Sequence, residues 1–448
     1  MNINFMKKYF TRFPYSVGNF VAKIPYSNRP FIGEGYRDSQ SIISTYDNYS
    51  VSERQSWIFN NIYRIANFAY DNIPFYKDYY YSHGFNPSAL SCFDDIKDIP
   101  IITKSVLQDV DIEKRSTKIK GRALVNTGGS SGSPLSFYIS PGQIPHEWAH
   151  IHRAWSHVGF RSSNLKIMFS GRSTVSNLVD YDSARHSLVV DIYKPKEAVA
   201  NKLLHYTKYN PLYLHGYPSA IFDFLLWVHE HKHPLYNYLK DNIKGIVFSS
   251  EFPAEPQRKK VYSIYNIKSL SFYGHSERAV LATEEGCEYK FVPLQTYGFS
   301  ESVNLENKNY LVGTTYYNFA SPLIRYNTDD VIKPIITNQM LDSFQILEGR
   351  KGDFIIDCLG NKITLTALIF GRHHKLFNFV SSIQVHQAKA GFATILLVMI
   401  NRNNYQSFVA SDFFDSSNVN IKFDFNIIEE PIRTGAGKLP LLVRDYKK

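Results

Sequence analysis

The chain has 448 residues, 44% hydrophobic and 20% charged, with a formal charge of +10. That length exceeds one small domain, and the ordinary balance of apolar and charged residues excludes wholesale disorder. The positive charge favours anionic partners such as nucleotides, acyl-carrier phosphates or a membrane surface, but no Lys/Arg run interleaved with aromatics points to nucleic acid.

The first thirty residues are basic and aromatic, with apolar runs broken by charge and by Pro14. They lack a signal-peptide core, and only peripheral membrane contact is left open to them. Residues 51–81 carry apolar side chains at helical spacing up to Pro74, where the helix should end. In "DIPIITKSVLQDV" (98–110) a linker leads to Thr103, which should cap a short helix. "RALVNTGGSSGSPLSFYIS" (122–140) reads as strand, Gly/Ser turn and strand, and "IPHEWAHIHRAWSHVGF" as a helix.

Beyond it, strands such as "LKIMFSG" and "IKGIVFSS" alternate with helices such as "SAIFDFLLWVHEH", the rhythm of an α/β domain. Residues 295–348 read as short strands and turns, and the last hundred as a separate strand–helix–strand unit. "TILLVMI" (394–400), the most apolar run, reads as a buried strand and is far too short to span a bilayer. The three cysteines, Cys92, Cys287 and Cys358, are widely separated. They form no disulfide scaffold or cysteine-built zinc site, and a reducing, cytoplasmic location is expected. The 32 Tyr and 32 Phe fit codon bias at least as well as an aromatic surface.

Chemistry concentrates in "NTGGSSGSPLSF" (126–137). Glycines let backbone N–H groups turn inward around an anion, and hydroxyls add donors. A Walker loop needs a lysine and a following helix. This one has neither, and read alone it is more often a plain turn.

The order of residues is more specific. Thr127-Gly128-Gly129-Ser130-Ser131-Gly132-Ser133-Pro134 resembles the phosphate loop of the adenylate-forming (acyl-activating) superfamily. Five further segments resemble that superfamily's motifs, in the same order. They are "SSEF" (249–252), "SFYGHSE" (271–277), "RYNTDD" (325–330), "GRKGDFI" (349–355) and "RTGAGK" (433–438). The upstream region and the missing loop lysine resemble the phenylacetate–CoA ligase-like branch, and within it the CapK-type subgroup of capsule and surface-polysaccharide biosynthesis.

The resemblance implies an α/β fold with a large N-terminal adenylate-forming domain (1–348) and a small, mobile C-terminal α+β domain (349–448). It implies that the loop backbone with Thr127, Ser130 and Ser131 holds the ATP phosphates. Ser250 and Glu251 would border adenine, Tyr273 would stack on it, and Gly274 would let the nucleotide approach. Ser276 would reach the α-phosphate, and Glu277 would bind Mg²⁺. Asp330 and Arg350 would hold the ribose. Lys438 would bridge the substrate carboxylate and the α-phosphate. His146, Trp148, His150, His215 and Tyr217 are candidates for the acid pocket.

The implied reaction is ATP- and Mg²⁺-dependent formation of an acyl-adenylate, then transfer to coenzyme A or to an amine, for instance on a nucleotide sugar. The motifs contain no code for the acid or the oligomeric state. Two departures stand out: Gly352 replaces a charged hinge residue, and Asp329 replaces a glycine beside the ribose aspartate. Some relatives carry a cysteine-rich zinc site after the Y-G-x-[ST]-E segment; only Cys287 falls there, so no zinc is expected.

A rival reading is "HEWAH" (146–150), whose two histidines at i, i+4 and intervening glutamate match a zinc peptidase. The extended pattern would need glycine and histidine where Arg153 and Ser156 stand, so a helix behind the phosphate loop is favoured. A third reading, a non-catalytic scaffold relative, is disfavoured by the retention of Glu277, Asp330, Arg350 and Lys438.

Overall fold

The computed structural model describes residues 13–30, 32–126, 135–169, 175, 177–192, 194–249, 253, 255–286, 289–348, 354–360, 362–365, 368–369, 374–399, 409–416, 419–434, 440–444 and 446. The architecture is mixed α/β, in two compact units. One comprises Met1–Lys23, Val158–Ser271 and Gly352–Lys448; the other comprises Ile24–His157 and Phe272–Lys351.

The first unit is built on a largely parallel sheet. Its strands run in the order Val179–Asp182, Ser187–Val190, Lys166–Phe169, Tyr213–Gly216, Gly245–Phe248 and the start of Lys268–Gly274. All neighbours are parallel except the edge strand Val179–Asp182. Every residue of Lys166–Phe169, Ser187–Val190 and Gly245–Phe248 is buried, as expected of strands covered on both faces. Helices Lys196–Tyr206, Pro218–Glu230 and Glu255–Tyr265 supply the crossovers.

Pro218 opens its helix at the position where a missing N–H costs nothing, and Ile221, Leu225 and Val228 pack with Phe169, Leu214 and Phe248. Gly216 immediately precedes this junction at φ +137°, and a Cβ there would lie 2.0 Å from the Phe169 carbonyl oxygen. That same carbonyl accepts the Tyr217 N–H at 2.9 Å. Only glycine fits.

The C-terminal part of this unit pairs Phe354–Ile356 with Lys362–Thr364. A further four-stranded sheet runs Lys422–Ile427, Phe392–Met399, Val380–Lys389 and Leu442–Val443. The apolar run at 394–400 is a buried strand as far as it is described, with Ile395 and Leu397 in a core with Ile355, Leu376 and Val385.

In the second unit, helix Val51–Asn72 starts with a capping box. Ser50 Oγ accepts the Glu53 N–H, and Glu53 returns a carboxylate oxygen to the Ser50 N–H at 2.7 Å. Pro74 does more than end this helix; it is the first residue of another, Pro74–Ser82. Thr103 caps Lys104–Gln108 as expected. Strands Ala123–Asn126 and Ser136–Ile139 form the anticipated antiparallel pair, and the loop between them, 127–134, lies outside the described residues.

The sheet of this unit is antiparallel. Its order is Gly298–Leu305, Lys308–Thr315, Tyr326–Thr337, Met340–Glu348, Lys290–Pro293, Leu281–Glu285 and Phe272–Gly274. These strands are longer than the sequence suggested, and Tyr326–Thr337 has 12 residues. Asn327, Thr328 and Asp330, which look like turn residues in the sequence, are buried inside that strand. Among the described residues no helix is long and apolar enough to cross a membrane.

Candidate functional site

The antiparallel sheet brings together residues from two of the sequence motifs. Tyr273 and Gly274 end one strand, paired with Ala282 and Leu281. The Tyr273 ring packs edge-on against Phe344, centroids 5.5 Å apart, and its hydroxyl donates to Asp330 Oδ2 from 57 residues further along the chain.

Asp330 is aimed there by a β-bulge. Tyr310 pairs with Val331 and Val312 with Asn327, so Thr328, Asp329 and Asp330 together face the single residue Leu311. Thr328 Oγ1 donates to the Leu311 carbonyl at 2.8 Å, and Asn327 Oδ1 accepts the Asp329 N–H at 2.9 Å. Asp329 itself has φ +64°, the left-handed conformation that glycine adopts freely and aspartate tolerates. The Asp329-for-Gly departure therefore falls on a residue whose backbone is of glycine type.

Just past Tyr273, exposed and buried residues alternate: Gly274 and Ser276 face outward, whereas Glu277 is buried. A buried carboxylate needs donors, and Glu277 has them. Oε1 accepts from the Tyr326 hydroxyl at 3.3 Å and Oε2 lies 3.1 Å from His275 Nδ1. Arg278, the next residue, is in the left-handed region (φ +59°) and pairs with Glu147 at 3.1 Å.

Arg325, also left-handed, opens the strand that carries Tyr326 and Asp330. Its guanidinium grips Glu301 through Nε and Nη2 at 2.8 and 3.0 Å, and Nη1 donates to the carbonyls of Lys97 and Ile99. This planar fork is geometry that lysine could not reproduce.

His146 and His150 are buried on helix Gln143–Trp155. Burial pushes the His146 imidazole down to about 4 and His150 well below its ordinary value, the latter with a further push from His146. Both rings are therefore neutral near pH 7. His146 Nε2 must donate to the Tyr297 carbonyl (3.0 Å), leaving Nδ1 beside Ser39 Oγ (3.2 Å). His150 Nδ1 donates to the His146 carbonyl (2.8 Å), and Nε2 faces the Thr296 hydroxyl (2.9 Å). Each ring thus has protein partners at both nitrogens, and Glu147 is held by Arg278. Among the described residues no three His, Cys, Asp or Glu side chains are grouped to hold a metal ion. Trp148, half-buried, packs with Tyr26, His152 and Trp155.

In the first unit, His215 Nδ1 donates to the Val247 carbonyl at 3.1 Å, and Tyr217 is buried before helix Pro218–Glu230. A cavity of about 710 Å³ in this unit is lined by Phe224, Trp227, Glu230 and Arg433. Of the motif residues it takes in Arg433, whereas Tyr273, Glu277 and Asp330 do not line it. Thr127, Gly128, Gly129, Ser130, Ser131, Gly132, Ser250, Glu251, Arg350, Gly352 and Lys438 lie outside the described residues.

No protein-family model matches the chain. Protein CapK of Staphylococcus aureus is 23% identical over 285 residues, which cover 58% of this chain and 60% of that protein. The match therefore spans less than two thirds of the relative's length. Among solved structures, 2-hydroxyisobutyryl-CoA ligase in the postadenylation state, in complex with 2-HIB-AMP, superposes with a TM-score of 0.63 at 16% identity. That superposition covers 88% of this chain and 90% of the ligase.

The chain has the adenylate-forming ligase fold.

An acyl acid amido synthetase, AtGH3.15 in complex with 2,4-DB, shares it with a TM-score of 0.52 at 12% identity, covering 84% and 82% of the two chains. Within this adenylate-forming fold, the side chains that the sequence did not single out are His275, Tyr326 and Arg325. All three stand inside matched motifs, two of them beside the residue of interest in space and the third at the entry of its strand. A buried polar residue within a motif was the available signal.

Proposed function

We propose that the chain is an adenylate-forming ligase that activates a carboxylic acid as acyl-AMP and passes the acyl group to coenzyme A or to an amine. The observation that carries the reading is the meeting of two separated motifs in one unit: Tyr273 bonds Asp330 across the antiparallel sheet, and Glu277, in the turn that follows exposed Gly274 and Ser276, bonds Tyr326 on the strand of Asp330. In this reading Asp330 accepts hydrogen bonds from the ribose hydroxyls, while Tyr273, which the resemblance assigns to stacking on adenine, also fixes its orientation through its hydroxyl. Gly274 keeps the approach open beside the adenine, and Ser276 donates to the α-phosphate.

Glu277 offers what Mg²⁺ asks of a protein. It is a hard carboxylate oxygen ligand, and a carboxylate oxygen can accept more than one contact. Mg²⁺ is usually held by one or two carboxylates with substrate phosphates, so no larger protein cage is called for. When bound, it would neutralise charge on the phosphates as pyrophosphate leaves.

The remaining roles follow from the sequence resemblance. Thr127, Ser130 and Ser131 with the glycine backbone hold the departing phosphates; Ser250 and Glu251 border adenine; and Arg350 reaches the ribose. Lys438, carried by a mobile C-terminal domain (349–448), bridges the acid carboxylate and the α-phosphate. A carboxylate oxygen attacks the α-phosphorus in line, the bond to pyrophosphate breaks, and the nucleophile then displaces AMP. Positioning and electrostatics dominate such a step.

A place in capsule or surface-polysaccharide assembly rests on the CapK likeness, and a cytoplasmic location on the three widely separated cysteines. The partnered nitrogens of His146 and His150 disfavour the zinc-peptidase alternative. Pyrophosphate release with ATP, Mg²⁺ and a panel of aryl, fatty, hydroxy and amino acids tests the reading. At least one acid should stimulate release, and Lys438→Ala should abolish it. Acid-independent background from every member would refute it. Mass analysis after adding coenzyme A or aminosugars then identifies the acceptor.

A further inference from the structure

We propose that helix Tyr15–Lys23 is a docking face for the surface of an anionic lipid membrane. The helix is seated on the first unit by its smallest residues and presents its largest apolar one to water.

Gly18 and Ala22 are the buried residues of this helix. A Cβ at Gly18 would collide with the Tyr181 ring, so glycine is what lets the helix come so close. Tyr15 stacks on Tyr209 with centroids 3.9 Å apart and meets Tyr181 edge-on at 5.2 Å. Just before the helix, the Phe13 N–H donates to Ser183 Oγ at 3.2 Å. These contacts fix which face of the helix looks away from its own unit.

That outward face is not the polar one a surface helix usually shows. Phe20 is 70% exposed and Val17 43%, three residues apart on the same side, and Phe13, just before the first turn, is 38% exposed. The surrounding charge says what covers them. Lys23 ends the helix, exposed; Lys7, Lys8 and Arg12 precede it, and residues 1–33 contain no Asp or Glu. Lys208 is exposed as well, its Nζ 5.1 Å from the Tyr209 ring on which Tyr15 stacks. Asp182, next to Ser183, is paired with Arg185 at 2.7 Å. Phenylalanine flanked by lysine suits a helix lying in a membrane interface, with its ring at the acyl boundary and ammonium groups among anionic headgroups. An apolar protein groove would accept Val17 and Phe20 but leave the excess of positive charge unanswered.

Flotation of the full chain with lipid vesicles reads this contact directly. Wild type should bind phosphatidylcholine vesicles containing phosphatidylglycerol and stay free of vesicles of phosphatidylcholine alone. Rising salt should release it. Phe20→Ala should weaken binding about tenfold, the value of burying one phenylalanine, and Lys23→Gln about fivefold, that of one lysine at an anionic surface. Both side chains are exposed, so neither variant should change the melting temperature. Lys259→Gln removes the same charge from helix Glu255–Tyr265 and should bind as wild type does.

No binding to the anionic vesicles, equal binding to phosphatidylcholine alone, or equal binding by Phe20→Ala and wild type would overturn the proposal. Equal losses in Lys23→Gln and Lys259→Gln would overturn it too, by showing net charge at work rather than this face. An oligomer that Phe20→Ala dissociates in solution, without vesicle binding, would assign the face to a second copy of the chain instead.

Discussion

The parallel sheet of the first unit and the antiparallel sheet of the second use their interiors in opposite ways. In the parallel sheet of the first unit the strands are short and mostly apolar, and Lys166–Phe169, Ser187–Val190 and Gly245–Phe248 are buried along their whole length. In the antiparallel sheet of the second unit a single strand buries Asn327, Thr328 and Asp330, and Arg325 lies buried at its entry. Apolar strands gain stability from area removed from water, whereas a buried polar group costs free energy unless it finds a partner. One sheet serves as scaffold and the other carries the candidate chemistry, so damage to the two should have different signatures.

The largest effect is expected where the scaffold admits no side chain. Gly216→Ala puts a methyl group onto the Phe169 carbonyl in a backbone conformation reserved for glycine. It should cost about 3 kcal/mol or more and lower the melting temperature. Nucleotide binding should fall only in proportion to the folded fraction. An unchanged melting temperature would show that the parallel sheet yields more easily than its packing implies.

In the antiparallel sheet, Arg325→Lys retains the charge and loses the fork. Breaking a buried, fully bonded pair costs about 3 kcal/mol, against less than about 1 kcal/mol for an exposed pair such as Arg153–Asp47. The comparison is sharpened if Arg325→Lys also weakens ATP binding among the molecules that remain folded, because the strand it anchors carries Asp330. Arg153→Ala should change neither melting temperature nor binding.

A smaller effect, tunable by solution conditions, concerns His146 and His150. Their folded-state values lie below that of an unfolded histidine, so above about pH 6.5 both states are neutral and contribute no pH dependence. Below it the unfolded chain takes up protons that the folded chain refuses, and stability falls as pH drops towards 4. For His146 alone the loss at pH 5 is about 2 kcal/mol. Melting temperatures of wild type and His146→Gln between pH 7 and 5 should show a shallower decline in the variant; parallel curves would contradict the assignment.

Legibility in the sequence follows the same division. The parallel strands and the helix Pro218–Glu230 are plain there, because burial turns them into apolar runs and Pro218 marks the start of the helix. The antiparallel strands are longer than their residues suggest, since Asn327, Thr328 and Asp329 are residues that normally make turns. Here side-chain bonds and a left-handed Asp329 keep them inside a strand. Motif order located Tyr273, Glu277 and Asp330, yet no local pattern could show that Tyr273 reaches Asp330 or that His275 faces Glu277. Those pairings depend on strand register and a bulge.

Nucleotide capture by the antiparallel sheet is the central claim, and calorimetric titration of ATP with Mg²⁺ into wild type and Asp330→Ala tests it most directly. Wild type should bind, and Asp330→Ala, measured on the molecules that remain folded, should lose at least about tenfold in affinity, the value of one hydrogen bond to a charged group. Equal affinity in the two proteins, or no binding by wild type, would contradict it.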